Sequence, residues 1–320
     1  MKSPKVGVWV AVRSTSRRLR WLVAVVAALT ACKDSTPRAT PPPVAGSADP
    51  WSQPAAAKDP LQHPLLWSIE KDGKTSYLLG TMHMGIDPTT RLPDLVWQKL
   101  DASPAFAMET DLGQAKLEFK RTDGKTLRDE LGEEYWKKLE GALGATMAAR
   151  LLDTKALIPA TTLSMRDLPV TPAMDGVLHG RAENAHKKLV YLEDARDELA
   201  VLETWMNAQA LKDMLDDLPG MRQRSLDMLA AYIAGDEAKI LAVTEAERKQ
   251  WLAKGRPAEE YDRQMQEVLY RRNAAWIPKI EQIHGEGGCF IAVGAMHAVG
   301  PQSVLDILGH HGFKVTRLTP

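Results

Sequence analysis

The sequence has little cysteine and no excess of either charge, and both shortages narrow the class of protein. Two cysteines, Cys32 and Cys289, occur in 320 residues, which excludes a disulfide framework. Basic residues (Lys and Arg) number 41 and acidic residues (Asp and Glu) number 41, so nothing in the charge balance indicates a nucleic-acid partner. The apolar run at residues 21–29 is shorter than the roughly 20 residues that a membrane-spanning helix requires.

Several well-known catalytic motifs are also missing. The sequence contains no Walker loop, no dinucleotide-binding fingerprint, no Gly-x-Ser-x-Gly elbow and no His-Glu-x-x-His pair. These absences argue against serine-hydrolase chemistry and against a zinc protease of the His-Glu-x-x-His type. Any chemistry must therefore come from residues in another arrangement.

Residues 1–31 have the organisation of an export signal. A basic segment containing Arg17 and Arg18 precedes the apolar run, and the small residue Ala31 stands directly before Cys32. This pattern predicts cleavage by a lipoprotein signal peptidase and lipidation of the Cys32 thiol, since two or three acyl chains hold a protein firmly on a membrane. Lys33 after the cysteine is typical of outer-membrane lipoproteins. An uncleaved anchor and an ordinary secretory cleavage after Ala31 are the alternatives.

The segment that follows Cys32 predicts a spacer. Residues 32–62 are rich in proline, alanine, serine and aspartate, with three consecutive prolines at 41–43. Such a composition buries too little apolar surface to offset the entropy of ordering, and proline keeps the chain extended. We therefore expect one folded domain at residues 63–320, held away from the membrane surface of the cell envelope.

Within this domain, short apolar runs alternate with helical patterns. The runs predict strands at residues 65–69, 76–79, 105–108, 189–192, 289–293 and 314–318. Apolar residues at three-to-four spacing predict helices at residues 94–102, 135–152, 174–189, 198–215, 221–234 and 259–283, and Gly300-Pro301 opens a further short helix that ends at Gly309. The alternation indicates an α/β fold with a mixed sheet core and a large helical cap.

Two strand–loop–helix units carry nearly the same motif. The first copy reads Gly80-Thr-Met-His83-Met-Gly85, and the second reads Gly294-Ala-Met-His297-Ala-Val-Gly300. Glycine lets the chain turn sharply as it leaves a strand. Each histidine then stands just beyond the carboxyl end of a strand, where open α/β sheets form their ligand crevices. The repetition favours a functional role over simple strand capping.

Carboxylates end two other predicted strands. Glu109 follows the run 105–108, and Glu193 follows the run 189–192. A carboxylate in such a place is costly to bury without a partner. Together with two imidazoles it provides oxygen and nitrogen ligands that suit Zn²⁺, Mn²⁺, Co²⁺ or Fe²⁺, and a remaining glutamate is a candidate base. The alternative is that these groups only cap strand ends or face solvent.

Other histidines and the second cysteine lie in contexts that predict no function. His179, Glu183 and His186 share one face of a predicted helix, but the surrounding sequence is polar and indicates a solvated face. Cys289 lies within an apolar run and is expected to be a buried packing residue.

These motifs, in this order, resemble the TraB/GumN family, which includes the Tiki proteases and is distantly similar to erythromycin esterases and ChaN-like haem-binding lipoproteins. The resemblance covers residues 63–320. Beyond the two Gly-x-x-His motifs and the two glutamates, it extends to Asp175 in Ala-Met-Asp-Gly and to Arg272-Asn273 before Trp276. Where family members often continue Leu-Glu with a Glu-Gln pair, this chain has Asp197-Glu198.

The resemblance implies a cell-envelope hydrolase of peptide or ester bonds, acting on a peptide or small-molecule substrate. The site residues would be His83, Glu109, Asp175, Glu193, Arg272, Asn273 and His297, of which His83, Glu109 and His297 would bind a divalent metal (Mn, Co or Zn). Tiki relatives imply metal-dependent peptide hydrolysis, whereas the esterases imply a histidine base without metal. A haem- or ligand-binding lipoprotein and an inactive scaffold are the further alternatives.

Overall fold

A computed structural model describes residues 59–111 and 118–320. The predicted signal peptide at residues 1–31, Cys32 and the spacer up to residue 58 lie outside the described residues. Leu61 is fully buried, and its N–H donates to the carbonyl of Arg91, so packing begins two residues before the boundary predicted at residue 63. In the described ranges, none of the helices has the length and apolar character needed to cross a bilayer.

Six strands form one sheet, at the six places that the sequence predicts. They are β1 (Leu66–Lys71), β2 (Lys74–Thr81), β3 (Ala105–Met108), β4 (Lys188–Tyr191), β5 (Phe290–Gly294) and β6 (Lys314–Leu318). Their order is β4-β3-β5-β2-β1-β6. The first four of these are mutually parallel, whereas β1 is antiparallel to both of its neighbours, so the predicted mixed sheet is confirmed.

Strands β3 and β5, which are adjacent in the middle of the sheet, are apolar along their whole length, as expected for strands buried on both faces. The side chains of β3 are buried, and Cys289 through Val293 are fully inaccessible to solvent. Cys289 is a free, buried cysteine, as predicted. Burial raises the pKa of its thiol to about 12, which keeps the thiol protonated at neutral pH.

Helices surround the sheet and form a separate cap. They are α1 (Pro88–Arg91), α2 (Asp94–Ala102), α3 (Leu127–Leu131), α4 (Glu133–Leu143), α5 (Ala145–Arg150), α6 (Leu157–Met165), α7 (Met174–Asn184), α8 (Ala195–Trp205), α9 (Ala208–Asp216), α10 (Leu218–Ala234), α11 (Glu237–Ala253), α12 (Ala258–Met265), α13 (Arg271–Gly285), α14 (Ala295–Ala298) and α15 (Val304–His310). Two helices predicted as continuous are each interrupted. Gly144, at positive φ, separates α4 from α5, and Asn207 caps the start of α9 after α8 has ended.

The cap has a hydrophobic core of its own, separate from the core of the sheet. Helices α3 to α6, α9 and the start of α10 supply it, and its buried side chains include Trp136, Leu139, Leu163 and Leu211. The predicted combination of a sheet core with a large helical cap is therefore confirmed.

The topology brings the two Gly-x-x-His motifs together. Strands β2 and β5 are parallel neighbours, and Thr81 lies opposite Gly294 in their register. Strands β3 and β4 lie next to β5 and run in the same direction. The carboxyl ends of all four strands therefore meet at one edge of the sheet, which is the edge where α/β sheets bind ligands.

One long helical stretch, residues 258–285, crosses to this edge. Helix α12 continues through a π turn, Gln266–Tyr270, directly into α13. Such turns are rare and occur often at functional sites. Arg272 and Asn273 come in the first turn after it, and both are buried.

Candidate functional site

His297 lies at the carboxyl end of β5 in α14, with only 6% of its surface exposed. Its Nδ1 is 2.6 Å from Oδ1 of Asn273. An amide oxygen only accepts hydrogen bonds, so Nδ1 carries the hydrogen of the neutral ring and Nε2 keeps a lone pair. Nε2 lies 3.9 Å from Oε2 of Glu109.

His297 is held in its neutral form by its surroundings. Burial lowers its pKa well below the usual value, and the positive charges of Arg272 and His83 lower it further. The indole ring of Trp276 packs against it with ring centroids 4.5 Å apart. A neutral imidazole with a free Nε2 is equipped to accept a proton or to bind a metal ion.

His83, the matching residue of the first motif, has the opposite character. Its side chain is 68% exposed, and its Nδ1 lies 2.7 Å from Oδ2 of Asp175, the acidic residue in the first turn of α7. The charge of Asp175 raises the pKa of His83 well above its usual value, and Glu109 and Glu198 act in the same direction. The first motif therefore presents an imidazolium at neutral pH.

Asp175 is fixed from both sides. Its Oδ1 accepts a hydrogen bond of 2.6 Å from the Thr81 hydroxyl, while its Oδ2 accepts from His83. Burial opposes ionisation of Asp175, but the charge and hydrogen bond of His83 and the bond from Thr81 outweigh it, so its pKa lies below the usual value. Asp175 therefore contacts a predicted site histidine directly.

Glu109 joins the second motif to the neighbouring strand. Its Oε1 accepts a hydrogen bond of 2.7 Å from the main-chain N–H of Gly294, and its Oε2 lies 3.1 Å from the Nη2 atom of Arg272. Both oxygens of this carboxylate therefore have a donor, which orients it towards His297.

Arg272 lies at the centre of three carboxylates. Its Nε is 3.0 and 3.1 Å from the two oxygens of Glu193, and its Nη2 also contacts Glu193 closely. The same Nη2 is 2.8 Å from Oε1 of Glu198, and the other oxygen of Glu198 accepts from the Thr110 hydroxyl at 2.9 Å. The guanidinium therefore clamps the acidic groups.

Glu198 is a site residue that the sequence analysis did not select. It lies in the first turn of α8, among the charged residues Arg196 and Asp197, where an acidic residue is ordinary because of the helix dipole. Burial raises the pKa of Glu198, and the charge of Glu109 adds to the effect. Burial also raises the pKa of Glu193. Four carboxylates share the site with one guanidinium and one imidazolium, so an excess of negative charge remains.

Only some of the oxygen and nitrogen donor atoms at the site are arranged to bind a divalent cation. In the described residues, the group of three or more ligands whose atoms lie within 4.8 Å of one another is Glu109, Glu193 and Glu198, and Arg272 already supplies a cationic group to all three. Nε2 of His297 and Oε2 of Glu109 suit one ion between them, and Asn273 gives His297 the outward hydrogen bond typical of metal-bound histidines. Of the three predicted ligands, only Glu109 belongs to the three-glutamate group, and neither His83 nor His297 does.

The first glycine of neither motif is needed for a left-handed turn, which corrects the expectation from sequence, and only Gly80 is needed for space. Neither Gly80 nor Gly294 has positive φ. A Cβ on Gly80 would meet Cα of Ala295 at 3.2 Å, so the close approach of the two motifs excludes a side chain there. The left-handed backbone occurs instead at the second glycine of each motif, Gly85 (φ 96°) and Gly300 (φ 80°).

The competing histidine patch does not form on one helix face. Helix α7 ends at Asn184, so His186 lies beyond it, and both His186 and Glu183 are exposed. His179 is half-buried and bonds the Tyr191 hydroxyl at 2.9 Å. The solvated face predicted from the sequence is therefore correct for two of the three residues, while the third packs against the sheet.

Fold and site together define an α/β protein in which paired Gly-x-x-His loops, a glutamate cluster and a buried arginine meet at one sheet edge. The model of the TraB/PrgY/gumN family matches residues 65–317, and the chain belongs to this family. It is 23% identical over 249 residues to the uncharacterized protein YbaP of Shigella flexneri, an alignment that covers 73% of this chain and 87% of YbaP. No solved structure matches it significantly.

Proposed function

We propose that this chain is a hydrolase of peptide or ester bonds at the cell envelope, tethered to the membrane through lipid on Cys32. One observation carries the proposal: the two histidines at the same sheet edge are tuned in opposite directions. A pair of groups whose pKa values are driven apart provides both an acid and a base near neutral pH. His297, neutral with a free Nε2, is the base. His83, charged and open to solvent, is the acid.

In this mechanism, water attacks the carbonyl carbon and passes a proton to Nε2 of His297. His83 gives the proton on its Nε2 to the leaving nitrogen or oxygen as the bond to the carbonyl carbon breaks. The products are a carboxylic acid and an amine or alcohol, and both histidines recover their starting protonation by exchange with solvent. Asn273 and Asp175 hold the two rings, while Arg272 keeps the glutamates in place.

A divalent ion such as Mn²⁺, Co²⁺ or Zn²⁺ belongs to the proposal as an activator, held by His297 and Glu109. When bound there, it would occupy the lone pair on Nε2 of His297, lower the pKa of a water molecule and so increase the supply of nucleophile. A glutamate of the site would then accept the proton from water in place of His297. The separation of 3.9 Å between the two donor atoms supports this assignment. The low pKa of His297 supports it too, because a metal competes with a proton for Nε2.

The test is hydrolysis of peptide and ester libraries by the purified protein, with chelator and with each ion added back. His297→Ala and His83→Ala should each lower kcat by about 10²- to 10⁴-fold, the usual contribution of a general acid or base. His186→Asn, at an exposed histidine away from the site, is the matched control and should keep full activity. No turnover by the parent protein, or equal rates in all variants, would reject a hydrolase. A Soret shift on haem titration that is lost in His297→Ala would favour the haem-binding alternative.

A further inference from the structure

The loop that follows the second motif contains a residue in an uncommon backbone conformation. Gln302 has φ of 58°, in the left-handed region that favours glycine. Its side chain is exposed, but both of its main-chain polar groups are engaged. Its N–H donates to Oδ2 of Asp306 at 2.8 Å, and its carbonyl accepts from Nδ2 of Asn273 at 2.8 Å. Such strain persists only where surrounding contacts hold it, and it often serves a site.

The carbonyl of Gln302 decides which way the Asn273 amide faces. A carbonyl only accepts hydrogen bonds, so it requires the NH₂ group of the amide on its side, and the amide oxygen is then turned to His297. The reversed amide would set two oxygens against each other. It would also offer an N–H to Nδ1 of His297, which would move the ring hydrogen to Nε2. Asn273 is fully buried, so no bulk water compensates for such a loss.

We propose that Gln302 is a positioning residue: its left-handed backbone, held by Asp306, aims a carbonyl at Asn273 and thereby keeps the lone pair of His297 on Nε2. The catalytic use of that lone pair rests on the proposed function, whereas the tautomer is a property of the folded protein. The consequence is that residues at the surface select the form of a buried ring. The side chain of Asp306 is 39% exposed, while His297 is 6% exposed.

The tautomer is measured directly by long-range ¹H–¹⁵N correlation spectra of the full-length protein labelled with ¹⁵N-histidine, recorded with EDTA present. The His297 signals are assigned by their loss in His297→Gln. In the parent protein, Nδ1 should carry the hydrogen. Asp306→Ala and Gln302→Val should raise the population with hydrogen on Nε2 at least tenfold. Asp306→Asn, which keeps an acceptor oxygen, and Gln302→Gly, which adopts positive φ freely, should preserve the parent tautomer.

The same substitution made in the Asn273→Asp protein distinguishes positioning of the His297 ring from general support of the fold. Asn273→Asp offers His297 an acceptor on either side, so the tautomer should no longer respond to Asp306→Ala. A purely structural role would instead lower the melting temperature of Asp306→Ala and Gln302→Val while the imidazole signals stay unchanged, and that result would overturn the proposal. Because the spectra need no substrate, failure to find hydrolysis would leave this inference intact, and an unexpected tautomer would leave hydrolysis to be judged by its own assay.

Discussion

The two Gly-x-Met-His loops are almost identical in sequence, yet they place their histidines in opposite chemical states. In the loop after β2, the ring is exposed and paired with the carboxylate of Asp175, which favours the charged form. In the loop after β5, the ring is buried between Trp276 and the amide of Asn273, which favours the neutral form. The difference shows that the motif determines the position of a histidine in the fold, whereas partners from distant elements determine its charge state.

Removal of Arg272 should reduce the difference between the two histidines and should have the largest effect on stability. The charge of Arg272 lowers the pKa of His297 and balances three carboxylates. Arg272→Met leaves buried carboxylates without a partner, which should cost about 3–5 kcal/mol of unfolding free energy. The loss should be smaller at pH 5 than at pH 7, because burial raises the pKa of Glu193 and Glu198 and so favours their neutral forms as the pH falls. Urea unfolding at both pH values measures the effect.

The neighbouring residue provides the control for this experiment. Arg271 is exposed, so Arg271→Met should change the unfolding free energy by no more than about 0.5 kcal/mol. Equal losses in the two variants would contradict the central place given to Arg272.

The glycines that open the two loops should also respond differently. A Cβ on Gly80 would lie 3.2 Å from Cα of Ala295 and 3.3 Å from Cβ of Leu65, so Gly80→Ala should destabilise the protein by about 1–3 kcal/mol. A Cβ on Gly294 would meet Oε1 of Glu109 at 3.4 Å, an ordinary contact, and the backbone there suits alanine. Gly294→Ala should therefore be near neutral in thermal denaturation. Equal destabilisation by both variants would contradict the assigned difference in packing.

The pH dependence of stability should distinguish the two rings with opposite sign. The folded pKa of His297 is lowered, so the protein should lose stability as pH falls below about 6.5, by about 1.4 kcal/mol per pH unit, and His297→Gln should remove this slope. The folded pKa of His83 is raised, so its contribution is present below about 6.5 and is lost as pH rises through the folded value. Exposure limits that contribution to about 1 kcal/mol or less. Denaturant titrations from pH 5 to pH 10 measure both, and an unchanged acid slope in His297→Gln would contradict the first.

The strands and the edge where the site lies could be predicted from the sequence because short apolar runs and the residues that end them are local signals. Gly80 to His83 and Gly294 to His297 repeat visibly, and Glu109 directly follows a strand. The helical cap was harder. Helix α11 buries only Ile240, so its apolar spacing is weak, and α6 contains Pro159, which argues locally against a helix.

Other parts of the site depend on contacts between distant segments, which the sequence alone does not show. Glu198 looks like any acidic residue near a helix start, and only the fold brings it within 2.8 Å of Arg272. Gln302 acts through its main chain, so its residue type gives no indication of its contact with Asn273. The charge states of the two rings likewise follow from burial and from partners that lie 24 and 92 residues away.

The π turn at Gln266–Tyr270 affects how relatives of this chain should be aligned. A π turn holds one residue more than an α turn spanning the same rise, and that residue comes shortly before Arg272. A relative with an uninterrupted α-helix at this place would need a single gap within residues 266–270 for its arginine and asparagine to match. Without that gap, Arg272 and Asn273, two buried polar residues of α13, would be compared with the wrong neighbours.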